Sequence, residues 1–388
     1  MFNLSSLTKT QKLIESARII KEELVGILKK RNIDKETLNR QLQINNNVDE
    51  FIAKTGNIDS LDDEAFVCKM LEMCSLFKNA HITLSFAKFL YKDGKMFLNQ
   101  HLLYLNGKIY LVNEDNFIEV KSIGGWQTKK ICNSFDRYLS YETIAWRDIQ
   151  LNKMLNWVYL YKVLGIDYSK IELADDQTVH CKICENNFHN FSCLPPFKEF
   201  NLYDSNVIDD HILKIDYFAC HENQEGDFEK FLEGVKDKYQ SHPIDSYILD
   251  IRGNSGGSSE LILPLLNFLK EKQLKGVTLT DGRVFSSGTF AAYYAKKLLN
   301  TTLIGQPLGQ GSARFGQSSG KIDLCDNLFI RYTEKFFDFR DVFKKGGAIN
   351  PDIEVPLKFE DICSKTDRTL DYAIHYLQTA QERNIDVQ

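Results

Sequence analysis

The residue types best suited to chemistry stand in two short phrases. The first, Asp250-Ile251-Arg252-Gly253-Asn254-Ser255-Gly256-Gly257-Ser258, follows an apolar strand, Tyr247-Ile248-Leu249, and opens onto Leu261-Ile262-Leu263-Pro264-Leu265-Leu266. A glycine-rich turn between strand and helix leaves backbone N–H groups unpaired and able to hold negative charge. About one helix further on, Phe285-Ser286-Ser287-Gly288 puts a serine on a second tight turn, heading the run Phe290-Ala291-Ala292-Tyr293-Tyr294-Ala295. Ser286 as nucleophile, with the N–H groups of Gly256, Gly257 and Ser287 as an oxyanion hole, is equipment for acyl transfer. The plain alternative for Ser286-Ser287 is helix capping. Against it, neighbouring strands of one parallel sheet end side by side, so two such turns are expected to converge.

A serine nucleophile needs a base, and the chain has eight histidines. Only His81 sits where a helix ends and a β segment begins, flanked by the small or polar residues Asn79, Ala80 and Thr83. A base of ordinary histidine strength would make activity rise with pH through about 6 to 7.

The elements that must position these residues are legible from periodicity. Leu13, Ala17, Ile20, Leu24 and Ile27-Leu28 recur at helical spacing, and a second helix is expected from about Leu61 to Phe77. Short β runs follow: Ile82 to Phe86, Met96 to Leu98, and Ile109 to Val112. A long helix is expected from about Ser140 to Leu164, then strands at Ile171 to Leu173 and Thr178 to Cys184. From Ile212 the order is β-α-β-α, which predicts a mostly parallel sheet covered by helices. The last apolar helix, Leu370-Ala373-Ile374-Leu377, reads as one docked on the core.

Asp250 to Gly257 resembles the D-x-R-x-N-x-G-G stretch of the C-terminal-processing (tail-specific) and tricorn-like serine peptidases, and Val284 to Gly288 looks like their nucleophile turn. Leu303 to Gly311 is similar to the family's glycine-rich segment, and Ile349-Asn350-Pro351-Asp352-Ile353-Glu354-Val355 to its terminal G-V-x-P-D-I-x-V motif. The likeness covers roughly Ile212 to Pro356 in the family's order. It is weaker before that, through Ala80 to Thr83, Lys121 to Trp126, and Ser140-Tyr141-Glu142. What it implies is a ClpP/crotonase-like α/β core at 206–388, preceded by a helical domain at 1–90 that carries His81. Between them come a small β module at 91–139, where relatives carry a peptide-binding PDZ module, and a helix-plus-β segment at 140–205.

The resemblance also divides the family by its base. One branch places a lysine in the glycine-rich segment, where this chain has Gln310, and glutamine cannot take a proton. The tricorn-like branch uses a histidine in a D/N-x-H-T phrase, which Asn79-Ala80-His81-Ile82-Thr83 resembles. That branch completes its relay with a glutamate just before the terminal motif. Here the corresponding stretch is Lys345-Gly346-Gly347, and the third residue is left among Glu334, Asp338 and Asp341, with Glu334 favoured because it follows the β-like run Leu328 to Tyr332. The implied activity is an endopeptidase cleaving peptides or unfolded tail segments, with no cofactor or metal. The second reading is an inactive peptide- or small-ligand-binding protein on the same scaffold.

The bulk composition excludes other classes. The chain has 388 residues, 43% hydrophobic and 26% charged, with a net charge of −5, so no basic surface calls for nucleic acid. No stretch approaches the roughly 18 apolar residues of a membrane span. The start, Met1-Phe2-Asn3-Leu4-Ser5-Ser6, has no secretory pattern, and nine scattered cysteines suit free thiols, so a cytoplasmic location is expected. His180, Cys181, Cys184, His189 and Cys193 have near-knuckle spacing, but Val179, Cys181 and Ile183 alternate like one strand face, and no glycine permits the turn. No zinc is expected. The expected partner is a peptide or protein substrate, and a homo-oligomer is left open.

Overall fold

A computed structural model describes residues 1–113, 116–185, 194–196, 201–344 and 347–385. It divides into two compact units: Met1–Asn190 with Ala313–Phe337, and Phe191–Ser312 with Asp338–Gln388. His189, Cys193, Lys345 and Gly346 of the sequence reading lie outside the described residues.

The first unit opens with the helices Lys9–Lys30, Lys35–Thr55 and Asp63–Leu76. Each begins where a polar side chain accepts a backbone N–H that the helix leaves unpaired: Thr8 from Gln11, Asp34 from Thr37, Asp62 from Ala65. Leu13, Ala17, Ile20, Leu24 and Leu28 form the buried face of the first helix. They share a core with the third helix and with a four-stranded sheet in the order Phe2–Asn3, Gly320–Cys325, Leu328–Tyr332, Thr83–Ser85. A second sheet runs His101–Leu105, Lys108–Asn113, Asn116–Ile123, Lys170–Leu173, Thr178–His180, with Trp126–Gln127 off its path.

The expected long helix over 140–164 is two, Ile144–Leu155 and Val158–Val163. The break falls at Asn156-Trp157 because the Asn156 amide is spent on a strand. Its Oδ1 accepts from Leu102 N and its Nδ2 donates to Leu102 O, both at 2.8 Å. Periodicity read through the break because Leu155, Val158 and Tyr159 are all buried.

The second unit holds a six-stranded sheet in the order Tyr203–Ile208, Ile212–Tyr217, Ser246–Asp250, Lys275–Thr280, Thr302–Gly305, Ile353–Glu354. Its first pairing is antiparallel and the next four are parallel. The helices Asp227–Ser241, Leu263–Glu271 and Ser287–Leu299 make the crossovers that parallel strands need. The mostly parallel sheet expected from Ile212 is a feature of this unit and does not extend to the rest of the chain. The described residues form several sheets, and in the first unit the hairpins of 101–123 are antiparallel, as short turns require. Helix Arg368–Ile385 buries Ala373 and Leu377 against Ile212, Ile248, Val277, Leu279, Ile304 and Val355.

Strand Ser246–Asp250 ends in a buried ion network that ties this last helix to the loop after the strand. Arg252, only 2% exposed, reaches Asp250 at 2.6 Å and Asp367 at 2.7 Å, and Asp367 Oδ1 also accepts from Leu370 N at 3.1 Å. The two carboxylates hold the guanidinium charged, well above its ordinary range, against the burial that opposes it. Removing one partner of a buried pair leaves a stranded charge and costs about 3–5 kcal/mol. Arg252→Ala should therefore lower the melting temperature of the second unit by roughly 10 °C. A double change of Arg252→Met with Asp250→Asn should recover part of that loss. Thermal melts of the three proteins check this, and a wild-type melt for Arg252→Ala would contradict it.

Candidate active site

In the second unit the two glycine-containing turns meet. After Asp250 the chain turns through Gly253, whose N–H donates to Asp281 Oδ1 at 3.1 Å; the same oxygen accepts from Arg283 N at 2.9 Å. One aspartate thus clamps both turns. Asn254 is wholly buried and works as a hub. Its Nδ2 donates to Tyr217 O at 2.9 Å, its Oδ1 accepts from Gly256 N at 3.0 Å, and its own carbonyl accepts from Phe285 N at 2.9 Å.

Glycine is required where the backbones press together. Gly257 has φ +141°, and a Cβ there would lie 2.2 Å from Cys220 O. Gly256 has φ +110°, and its Cβ would lie 2.7 Å from Ser286 Cβ and 2.8 Å from Ser287 N. Such contacts are closer than any side chain tolerates, so the approach of Gly256 to Ser286-Ser287, and of Gly257 to Cys220, depends on those glycines.

Ser286 is half-buried and takes φ 53°, ψ −119°, a conformation rare for a residue with a Cβ. Helix Ser287–Leu299 starts on the next residue, so the positive end of its dipole lies at this turn. Ser286 N donates to Gln310 Oε1 at 2.5 Å, and Ser287 Oγ donates to Gly257 O at 2.6 Å. The three expected oxyanion donors are not equivalent. Gly256 N–H is engaged by Asn254, whereas the N–H groups of Gly257 and Ser287 have no acceptor among the described residues.

His81 lies in the first unit, in the turn between helix Asp63–Leu76 and strand Thr83–Ser85. Asn79 Oδ1 closes the turn by accepting His81 N at 2.9 Å, Asn79 Nδ2 donates to Thr333 Oγ1 at 3.2 Å, and Ser318 Oγ donates to His81 O at 2.8 Å. The imidazole is 6% exposed. Burial, then the charge of Arg314, push it down to about 3. The expectation of an ordinary histidine titrating at 6 to 7 is therefore corrected. Arg314 is itself buried and is pushed down to about 10, with Glu142 opposing that shift.

The low value is also a stability statement. An unfolded histidine titrates near 6.5, so between that pH and about 3 the unfolded chain binds a proton that folded His81 refuses. The stability this withholds is fully present above 6.5 and is lost as pH falls toward 3, amounting to roughly 3 kcal/mol by pH 4. His81→Asn should lose less melting temperature than wild type between pH 7 and pH 4. Equal acid shifts for the two proteins would contradict the assignment.

The remaining candidates have other partners. Glu334 is exposed and its carboxylate accepts from Ser319 Oγ. Asp338 pairs with Arg340 at 2.5 Å, and Asp341 accepts from Tyr293 OH at 3.1 Å and from Lys297 at 3.0 Å. Cys181 is buried, which pushes its thiol up to about 12, and Cys184 lies on the strand pairing Ile183-Cys184 with Phe97-Leu98. No cluster of three or more metal-ligating side chains occurs among the described residues.

Sequence reading missed the roles of Asn254, Asp281 and Arg314. Asn254 lay within a quoted motif without a part to play. For Arg314 no local signal exists, because an arginine between Ala313 and Phe315 carries no mark of being buried.

Mature CPAF complexed with lactacystin matches with TM-score 0.57 at 10% identity, over 97% of this chain and 98% of that one. A serine-to-alanine mutant of CPAF matches with TM-score 0.55 at 10% identity, over 92% and 94%. The photosystem II D1 C-terminal processing protease aligns over 94% and 98% at 11% identity, with TM-score 0.41. No protein-family model and no curated protein matches the chain. The chain shares the fold of CPAF. No helix among the described residues is long and apolar enough to cross a membrane.

Proposed function

We propose that the chain is a serine endopeptidase that cleaves peptides or unfolded tail segments through an acyl-enzyme. The observation that carries this reading is the Ser286 turn: a serine held at positive φ on a helix start, beside two N–H groups without acceptors among the described residues. Ser286 Oγ attacks the scissile carbonyl and His81 takes its proton, returning it to the leaving amine. The oxyanion is received by Gly257 N–H and Ser287 N–H. Gly256 serves instead as the space that lets the turns approach, since its own N–H is committed to Asn254.

Glu334 is kept as the third residue over Asp338 and Asp341. It follows Thr333, which holds Asn79 at the His81 turn, whereas the other two are committed to surface cations. The reading is tested by incubating the protein with an unfolded protein such as reduced casein and sequencing the new termini. Cleavage by wild type and none by Ser286→Ala supports it.

One observation favours the second reading, a non-catalytic binding protein on the same scaffold. Arg314 lies where its charge disfavours an imidazolium, which acyl transfer must form. Binding of the unfolded chain without cleavage in the same assay would decide for that reading.

A further inference from the structure

We infer that Gln310 is a positioning residue, whose Oε1 withdraws the Ser286 N–H from the oxyanion site so that the N–H groups of Gly257 and Ser287 alone face the substrate carbonyl. The inference rests on the peptidase reading and deepens it. Gln310 is 0% exposed, and its Oε1 lies 2.5 Å from Ser286 N and 3.4 Å from Thr289 Oγ1. That oxygen therefore takes donors from both sides of the first turn of helix Ser287–Leu299.

The glutamine is anchored from its own backbone. Ile349 N donates to Gln310 O at 3.3 Å, and Leu308 N donates to Ile349 O at 2.9 Å. Gly309 N donates to Val284 O at 3.1 Å, so the segment runs beside the turn that carries the nucleophile. A side chain fixed in this way holds Ser286 at φ 53°, a conformation that persists only where its surroundings impose it.

The residue type follows from the role. The Ser286 amide needs an acceptor, and a lysine ammonium has three donors and none. An amide also brings no charge next to the place where negative charge develops, which a carboxylate would. The same side chain that rules out a lysine base is thus one that shapes the turn.

The test compares Gln310→Met, of similar volume without an acceptor, with Gln310→Glu, which keeps an acceptor oxygen. Two readouts are taken on the full chain: amide exchange at Ser286 by fragment-resolved mass spectrometry, and the rate of labelling by a fluorophosphonate. Gln310→Met should speed exchange at Ser286 by at least tenfold and slow labelling by roughly 10²-fold, the effect of a disturbed oxyanion site. Its KM for a peptide ester should stay within about threefold, because positioning acts on the transition state. Gln310→Glu should keep most of the exchange protection, although its charge beside the oxyanion site slows labelling as well. Wild-type exchange or labelling in Gln310→Met overturns the inference and leaves the peptidase reading standing, as does equal loss of exchange protection at Ser286 in the two variants. A wild type that the probe does not label overturns both.

Discussion

Ser286→Ala should lose hydrolysis by roughly 10⁴–10⁶-fold while its melting temperature stays within a few degrees of wild type. The size follows from the role, since removing a nucleophile leaves only what binding and the oxyanion donors contribute. The preserved fold follows from the position. Ser286 is half-buried on a turn whose geometry is fixed by backbone contacts, among them Phe285 N to Asn254 O at 2.9 Å and Gly288 N to Phe285 O at 2.9 Å. An alanine retains those contacts. Initial rates on a peptide ester, with thermal melts of both proteins, check the expectation. Activity within tenfold of wild type would move the nucleophile elsewhere.

His81→Ala should cost about as much as Ser286→Ala, and the double variant should be no worse than either, because nucleophile and base act as a unit. Where two residues contribute independently, their losses multiply instead. The pH dependence has a definite sign. With the imidazole pushed down to about 3 by burial and by Arg314, His81 is already neutral throughout the ordinary range. In wild type kcat/KM should therefore stay level between about pH 5 and 8, where an ordinary histidine would make it rise through 6 to 7. Arg314→Gln removes the opposing charge and should move the acid limb upward. A wild-type limb at 6 to 7 would mean that the free enzyme holds His81 in a more hydrated or acidic setting.

The second unit was the more legible in the sequence. Its central strands Ile212–Tyr217 and Ser246–Asp250 are buried on both faces, so the β-α-β-α order from Ile212 could be read directly, and strand Ser246–Asp250 ends where the sequence places the first turn. The meeting of that turn with Ser286 was also readable, because parallel strands joined by crossover helices bring their ends together. The division of labour among the glycines was not. That Gly256 N–H is taken and Gly257 N–H is left over depends on which way the Asn254 side chain turns. The first unit was harder for the same kind of reason. Asn156 interrupts a helix by bonding to Leu102, which is 54 residues away, and no local pattern marks such a partner. The environment of His81 is likewise assembled from Ser318, Thr333 and Arg314, far along the chain.

The most direct test of the central claim is to react the protein with a fluorophosphonate and locate the adduct by mass spectrometry. Ser286 as an activated nucleophile predicts one adduct on the peptide containing Val284 to Gly288, absent in Ser286→Ala and formed at least 10³-fold more slowly in His81→Ala. An unlabelled wild type, an adduct on another serine, or labelling that His81→Ala leaves unchanged would contradict it.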